Sequence, residues 1–221
     1  MMAEILIFCE GITDQVFIAD CLKHFYGIDC KKTSHKSRSN ALGINFEFKS
    51  FRGRIIDVGG CTKLLTIKEY CAQMEDNIDL GGKNIIIFDA DDSKIGNGNK
   101  GFLSCRQKLT EFQKKVFFSY YIWPNHEVDG AIEFLLRQLI ATDKLPIIQC
   151  VESHQECLKQ LEIPNLKYTT ELKEIINYYL YTCNINAKLC DRSYINDYWN
   201  LNPQDNNDLL KFKTFLDPFF Q

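Results

Sequence analysis

The sequence predicts an α/β protein, a three-layer α/β/α sandwich with a mostly parallel sheet and a helical C-terminal extension. Short apolar runs typical of buried strands alternate four times with segments whose apolar residues recur at helical spacing, all before residue 145. From residue 146 onwards helical patterns dominate. Because no flexible linker separates these parts, we predict a single domain over residues 1–221, with an α/β core at 1–145 and the extension at 146–221.

The first predicted strand and helix surround a Glu-Gly turn. The apolar run at residues 5–9 ends at Glu10-Gly11, which predicts a buried strand followed by a turn. In the next helix, apolar residues recur at helical spacing over 16–25, and the Thr-Asp pair at 13–14 can cap the N-terminus. Glu10 is therefore expected at the carboxyl end of the first strand.

The clearest buried strand is the run Ile-Ile-Ile-Phe at 85–88, which is followed directly by Asp89-Ala90-Asp91-Asp92. The other elements predicted in the core are a loop at 31–40, strands at 46–51 (edge-like), 55–58 (closed by Gly59-Gly60) and 116–123, and helices at 62–75, 103–114 and 128–140. In the extension, the patterns predict helices at 153–161, 170–182 and 208–220.

Three carboxylates, those of Glu10, Asp89 and Asp91, follow predicted strands, and functional groups of parallel sheets collect at the carboxyl ends of strands. In an extended segment, alternate side chains point the same way, so Asp89 and Asp91 can share one cation. Hard oxygen ligands of this kind suit Mg²⁺ or Mn²⁺. Asp92 would contribute through water or cap the loop. The simpler interpretation of the DxD alone is an aspartate-rich surface turn.

The charge distribution is uneven. The chain has a net charge of −3, but residues 31–63 contain eight Lys or Arg against two acids and so carry +6, which leaves −9 elsewhere. A local basic stretch in an acidic protein is a candidate surface for attracting phosphates, and a solvated loop is the alternative. The basic residues are Lys31, Lys32, Lys36, Arg38, Lys49, Arg52, Arg54 and Lys63.

The cysteine pattern and the hydropathy indicate a cytoplasmic protein. The ten cysteines are scattered without a CxxC motif, and the N-terminus lacks a secretory leader, so we predict reduced thiols. Cys150, His154 and Cys157 would fall near one face of a helix, but a fourth zinc ligand is missing. No window of 18 uninterrupted apolar residues occurs, so no membrane span is expected.

Several motifs resemble those of the Toprim domain family. The first is CEGITDQVFI, where a glutamate ends strand one, and the second is IIIFDADD, with the DxD after a core strand. The segment IIDVGGCTKL resembles the paired-glycine turn of Toprim domains of the OLD-nuclease type, and PNHEVDGAIEFLL resembles a segment that presents a glutamate, here Glu133, on a helix. With YINDYW and LLKFKTFLDPFF, the resemblance extends to a mainly bacterial Toprim-like family of unknown function and covers nearly the whole chain.

This resemblance implies Mg²⁺-dependent, nuclease-like phosphodiester chemistry on nucleic acid. Glu10 would be the general acid/base, and Asp89 and Asp91 would hold Mg²⁺ (or Mn²⁺). Glu133 would support a second metal, with a helix-surface glutamate as the alternative. Lys63 follows Gly59-Gly60, where a cation and backbone N–H groups would meet a phosphate. The residues expected to contact substrate are Gly11, Gly59, Gly60, Lys63 and Asp92, and His126 is a further candidate near the same edge.

Two other functions fit parts of the pattern. An hhhhDxD segment also opens the motif of haloacid-dehalogenase-type phosphatases, with Asp89 as nucleophile and Asp91 as acid. That interpretation needs the motif on the first strand and leaves Glu10 unused. The third possibility is a catalytically silent binding module, because the fold alone does not determine function.

Overall fold

The structure is a computed structural model that describes residues 3–34, 42–92, 100–169, 171–183 and 192–221. Six strands lie in these ranges: β1 (Glu4–Cys9), β2 (Lys31–Ser34), β3 (Leu42–Phe48), β4 (Phe51–Asp57), β5 (Lys83–Asp89) and β6 (Ser119–Trp123). Eight α-helices accompany them within the same ranges: α1 (Ile12–Tyr26), α2 (Cys61–Thr66), α3 (Lys68–Asp79), α4 (Phe102–Gln113), α5 (Ile132–Gln138), α6 (Leu145–Gln160), α7 (Leu172–Thr182) and α8 (Asn207–Phe220). None of the described helices is long and apolar enough to cross a membrane.

The six strands form one mixed sheet in the order β2-β3-β4-β1-β5-β6. The central strand β1 pairs in parallel with β4 and β5, and β5 pairs in parallel with β6. The two strands on the β4 side, β3 and β2, are antiparallel. The protein is therefore α/β with a mainly parallel sheet, and its four parallel strands end at one edge.

Alternating residues of β1 contact two separate apolar cores, because successive side chains of a strand point to opposite faces. Ile5 and Ile7 pack in a cluster with residues of α1, α5, α7 and α8. Leu6 and Phe8 pack in a second cluster with residues of α2, α3 and α4. Helices thus cover both faces of the central strand, and β1 is fully buried from Ile5 to Cys9, as the uninterrupted apolar run predicted.

The C-terminal helices belong to the same core as the sheet. In α8, Phe212 is fully buried and its ring centroid lies 4.5 Å from that of Trp123 in β6. The ring of Phe212 also contacts Tyr121, at 5.1 Å. Residues that we predicted to extend the α/β core therefore contribute directly to it.

Several predicted boundaries were wrong. Residues 31–34, predicted as loop, form the edge strand β2, so β3 lies one position inside the sheet; the rest of that predicted loop lies outside the described residues. The predicted helix at 62–75 is two helices, α2 and α3, separated at Ile67, whose backbone is extended. Helix α5 begins at Ile132 instead of residue 128, because the preceding residues form a turn that pairs with Asp91.

We predict that Phe212→Ala lowers the free energy of unfolding by about 3–5 kcal/mol, because it opens a cavity between α8 and β6. The matched control is Phe117→Ala, since Phe117 is 72% exposed and its truncation should change stability by no more than about 0.5 kcal/mol. Urea unfolding followed by tryptophan fluorescence measures both. Equal effects of the two substitutions would show that α8 does not stabilise the core.

Candidate functional site

Acidic side chains collect at the carboxyl edge of the parallel strands. In the sheet register, Cys9 of β1 lies beside Asp57 of β4 and beside Ile87 of β5. Glu10 follows β1 directly, and Asp57 and Asp89 are the last residues of the two neighbouring strands. The parallel pairing therefore brings together three carboxylates that are far apart in sequence.

These carboxylates line one cavity of about 510 Å³. All four residues predicted to bind metal contribute to its wall, and two further acids join them: the full acidic set is Glu10, Asp14, Asp57, Asp89, Asp91 and Glu133. The remaining polar residues of the wall are Thr13 and, from the C-terminal part of the chain, Lys173, Asn177 and Arg192. The predicted site residue Gly11 also lines this cavity.

The DxD segment is held by the turn that precedes α5. The backbone N–H of Ile132 donates to Asp89 Oδ1 at 2.8 Å, and Asp91 exchanges two backbone hydrogen bonds with Gly130, at 2.8 and 2.9 Å. Asp91 has a left-handed backbone, with φ of 62°. The segment is therefore not extended, and our reason for expecting Asp89 and Asp91 to point the same way was wrong. Asp89 reaches the cavity as the last residue of β5, and Asp91 reaches it through the turn that pairs with Gly130.

The Glu-Gly turn after β1 depends on Asp14. Gly11, not the Thr-Asp pair, is the N-terminal cap of α1, and its N–H donates to Asp14 Oδ2 at 3.1 Å. The indole N–H of Trp123 donates to the other oxygen of Asp14 at 2.9 Å. Asp14 is buried, so these two bonds satisfy a carboxylate that would otherwise be costly to bury.

Burial and mutual repulsion raise the pKa values of the clustered acids. Burial, reinforced by Glu10 and Glu133, raises the pKa of Asp14 to about 7. Burial together with the charge of Asp14 raises the pKa of Asp89 well above its usual range. The pKa of Glu10 is also raised, by burial and by Asp91. Without a bound cation, the cluster therefore retains protons at pH values where exposed acids are ionised.

A second cavity of about 630 Å³ is also lined by Glu10, Asp89 and Asp91, and cations line its other side. Gly59 and Gly60 line it with φ values of 68° and 114°, which favour glycine. A Cβ on Gly60 would lie 3.5 Å from Glu10 Oε1, and one on Gly59 would lie 2.7 Å from Lys63 Nζ. The paired-glycine turn thus brings backbone close to Glu10. The cations of this wall are Lys63, Lys100 and Lys108.

Some predicted residues lie elsewhere. Asp92 is exposed and does not line either cavity. His126 Nδ1 accepts a hydrogen bond from the N–H of Ile122 at 3.0 Å, and its ring stacks on Tyr121. Burial, together with the positive charge of Arg106, lowers the pKa of His126. This histidine therefore stabilises the turn after β6.

The basic segment 31–63 does not form one surface. Lys63 lies at the acidic edge, whereas Lys31 and Arg52 line a different cavity together with Glu4, the first residue of β1, at the opposite end of that strand. Arg54 forms an ion pair with Glu4. Lys36 and Arg38 lie outside the described residues. The sum of +6 in sequence therefore overstates the positive charge at the candidate site.

The potential metal ligands of the acidic cavity are carboxylate oxygens. As they stand, no three or more His, Cys, Asp or Glu side chains within the described ranges form a group that would hold a metal, including Cys150, His154 and Cys157. Mg²⁺, however, commonly takes only one or two protein carboxylates and completes its shell with water. Neighbouring carboxylates that raise one another's pKa values suit such a cation, because its positive charge offsets their mutual repulsion.

Comparison with known proteins identifies the family. A family described as "Protein of unknown function (DUF3226)" matches residues 4–221, nearly the whole chain. The chain belongs to the DUF3226 family. The fold of this DUF3226 chain resembles the crystal structure of hypothetical protein PH0156 from Pyrococcus horikoshii OT3. The TM-score is 0.53 at 18% identity, covering 99% of this chain and 95% of that chain. No curated protein matches the sequence.

Sequence reasoning missed several residues of the candidate site in this DUF3226 chain. Asp57 was counted only as a charge, although it ends a strand before paired glycines, the same signal that identified Glu10. Asp14 was interpreted only as a helix cap. Lys173, Asn177 and Arg192 carry no local signal, because they belong to the C-terminal part of the chain and reach the cavity only through tertiary packing.

We predict that the metal-free protein becomes less stable as the pH rises from about 4 to about 7. The folded state holds a proton on Asp14 up to a pKa of about 7, whereas an unfolded Asp releases it near pH 4. Asp89→Asn, whose amide oxygen can still accept from Ile132, should be more stable than wild type at pH 8 in EDTA. The gain is expected because the substitution removes a buried carboxylate whose ionisation the folded protein opposes.

Urea unfolding across this pH range measures the effect, with the exposed Asp197→Asn as control. A wild-type stability that rises with pH over this range, or a destabilised Asp89→Asn protein at pH 8, would contradict the raised pKa values.

Proposed function

We propose that this DUF3226 protein is a Toprim-like, Mg²⁺- or Mn²⁺-dependent protein with nuclease-like phosphodiester chemistry on nucleic acid. The observation that carries the proposal is the convergence of Glu10, Asp89, Asp91 and Glu133 on one cavity at the carboxyl edge of the sheet. Opposite charges surround these acids on two sides. An acidic centre with a cationic rim suits an anionic substrate held through a cation.

The fold is consistent with this proposal. The two apolar clusters on opposite faces of β1 support a three-layer α/β/α sandwich, which is the fold that the Toprim resemblance implies. Glu10 after β1 and the DxD after the adjacent parallel strand β5 are neighbours at one edge. Each observation supports the resemblance independently of the motifs themselves.

Asp89 and Asp91, with Glu10 and Glu133 beside them, would hold the cation. When bound, a divalent cation polarises a phosphoryl oxygen and stabilises the charge that develops on it. Contacts within the protein hold these side chains in position. The N–H of Ile132 orients one oxygen of Asp89, and the ammonium of Lys100 lies 3.2 Å from Asp91 Oδ2. Release of Lys100 from Asp91 would then accompany cation binding.

Glu10 would act as the general acid/base. It lines both cavities, so it faces the acidic centre on one side and the Gly59-Gly60 turn on the other. Burial and Asp91 raise the pKa of Glu10, while the backbone N–H of Asp89 lowers it. A carboxyl group with a raised pKa exchanges protons closer to neutral pH, as general acid–base catalysis requires.

Arg192 is the best candidate for a phosphate contact. It lines the acidic cavity, is only 7% exposed, and its Nε has no hydrogen-bond partner within the described part of the chain. Burying a guanidinium donor without a partner is unfavourable, and a bound phosphate oxygen would remove that cost. Lys173 and Asn177, one helical turn apart on α7, line the same side.

One observation favours a second function, a catalytically silent binding module. Asp89 already accepts a backbone hydrogen bond and Asp91 already pairs with a lysine, so both carboxylates have partners without a metal. In such a module the cationic rim would bind nucleic acid or another polyanion, and the acids would hold a metal or support the structure without turnover. The two functions therefore differ in turnover.

The decisive experiment combines metal binding with cleavage. We expect Mn²⁺ to raise the melting temperature of wild type, because a ligand that binds only the folded state stabilises it, and to support cleavage of single- or double-stranded oligonucleotides. Asp89→Ala should abolish both effects. Glu10→Gln should retain part of the thermal shift but lose cleavage by about 100-fold or more, since general acid–base catalysis contributes about 10²–10⁴.

Asp197→Asn changes an exposed residue that lines neither of these two cavities, and it is the control for general charge effects. A metal response without cleavage of any nucleic acid would support the silent module. An equal thermal shift in wild type and Asp89→Ala would contradict the metal assignment itself.

Salt dependence locates the nucleic-acid surface. We expect the double variant Lys63→Ala, Lys173→Ala at the acidic edge to flatten the slope of log K against log salt by roughly 0.7–0.9 for each phosphate that it no longer neutralises. The matched variant Lys31→Ala, Arg52→Ala removes the same charge from the cavity beside Glu4, at the opposite end of β1, and should leave the slope unchanged. Fluorescence anisotropy with labelled oligonucleotides across a salt series measures the slope for both double variants. A flatter slope only in Lys31→Ala, Arg52→Ala would place nucleic-acid binding at the cavity beside Glu4.

A further inference from the structure

Two thiols meet at the wall of the cationic cavity. Cys61 is the first residue of α2 and is partly exposed, and Cys105 lies in the second turn of α4 and is 6% exposed. Both line the cavity that Glu10 shares with Lys63 and Lys108. Cys61 packs against the apolar cluster that contains Cys105. The two cysteines are therefore close to each other in the fold, although 44 positions separate them in sequence.

Each thiol is attached to a segment that forms the acidic site. Cys61 directly follows Gly60, whose Cα faces the Glu10 carboxylate. Cys105 N–H donates to Gly101 carbonyl at 2.9 Å, and Gly101 N–H donates to the carbonyl of Ala90, between Asp89 and Asp91, at 2.8 Å. A covalent link between the two sulfurs would thus join the paired-glycine turn to the helix that supports the DxD segment.

The surroundings make the two thiols unequal. Cys61 is partly exposed whereas Cys105 is buried, so an oxidant reaches Cys61 first, and Cys61 is the attacking sulfur and Cys105 the resolving one. Interaction with Cys105 and the nearby Lys108 ammonium lowers the pKa of Cys61, which favours the same roles. Interaction with Cys61 and burial raise the pKa of Cys105. The partly exposed position of Cys61 gives a small oxidant access.

We propose that Cys61 and Cys105 form a dithiol site that a hydroperoxide oxidises to a disulfide beside the acidic centre. The Cys61 thiolate attacks the terminal peroxide oxygen, which breaks the O–O bond, gives a sulfenic acid on Cys61 and releases water or an alcohol. The Cys105 sulfur then attacks the Cys61 sulfur, loses its proton and displaces hydroxide, which leaves as water. Overall, two thiols and one hydroperoxide give one disulfide, one water and one water or alcohol.

The disulfide would change the candidate site. It would draw Cys61 towards α4 and hold the Gly59-Gly60 turn in one position at the mouth of the cavity. Substrate access to Glu10 from that side would narrow, and reduction of the disulfide would restore it. This effect on activity rests on the proposed function, whereas formation of the disulfide does not.

Intact-mass measurement and peptide mapping of the full chain test the dithiol. After treatment with hydrogen peroxide at stoichiometric concentration, wild type should lose two hydrogen atoms and yield a single cross-linked peptide pair containing Cys61 and Cys105. Cys61→Ser should abolish the loss, and Cys105→Ser should instead give a sulfenic acid on Cys61 that a dimedone probe traps. The control Cys150→Ser, which changes an exposed thiol, should behave like wild type.

Reaction rates supply a measurement that does not depend on the folding of any variant. In wild type, Cys61 should react with iodoacetamide several-fold faster than Cys150 at pH 7, because Cys105 and the Lys108 ammonium lower the pKa of Cys61 and so increase its thiolate fraction. Cross-linked peptides that join other cysteines, or a Cys61 that reacts no faster than Cys150, would overturn the proposal. The activity arm compares oxidised and reduced wild type in the cleavage assay, with recovery on adding dithiothreitol.

The two proposals fail separately. A protein that forms the Cys61–Cys105 disulfide but cleaves no nucleic acid would retain the dithiol site and refute the nuclease-like function. A protein that cleaves nucleic acid but forms no such disulfide would support the nuclease-like function and refute the dithiol site.

Discussion

The parallel pairing of β1 between β4 and β5 is the constraint on which the rest of the structure depends. A parallel sheet brings the carboxyl ends of its strands to one edge. In this chain the register places Cys9 beside Asp57 and Ile87, so the residues that end or follow these strands must meet. A slip of one position would exchange the side chains that β1 presents to its two cores and would shift Glu10 relative to Asp89. Because the side chains of β1 pack in a different core on each face, close packing favours the observed register.

Concentrating acids at that edge costs stability. The pKa values of Glu10, Asp14 and Asp89 are all raised, which means that the folded protein opposes their ionisation. Trp123 and the Gly11 N–H offset part of this cost at Asp14, and Ile132 does so at Asp89. An arrangement that is unfavourable for folding and yet supported by specific hydrogen bonds is typical of functional sites. This is why the electrostatics, rather than the motifs alone, support a site for a cation.

Two parts of the chain that are remote in sequence complete the site. The turn before α5 pairs with Asp91 and delivers Glu133, and the C-terminal part supplies Lys173 and Arg192. The same C-terminal part contributes α8 to the core against Trp123, whose indole in turn binds Asp14. Packing of the last helix is thus connected through one tryptophan to the Glu-Gly turn. Stability of the core and geometry of the site are not independent in this protein.

The sequence by itself determined most of the alternation of strands and helices and the strand-end acids. Continuous apolar runs at β1 and β5 indicate burial on both faces. Glu10 directly follows the first run, Asp89 ends the second strand, and Asp91 follows two residues later. Tertiary structure decided what no local pattern encodes. The edge strand β2 is polar and basic, so its pairing with β3 leaves no apolar signal. The left-handed turn at Asp91 and the approach of Arg192 and of the thiol pair follow from contacts across many residues, which hydrophobic periodicity cannot reveal.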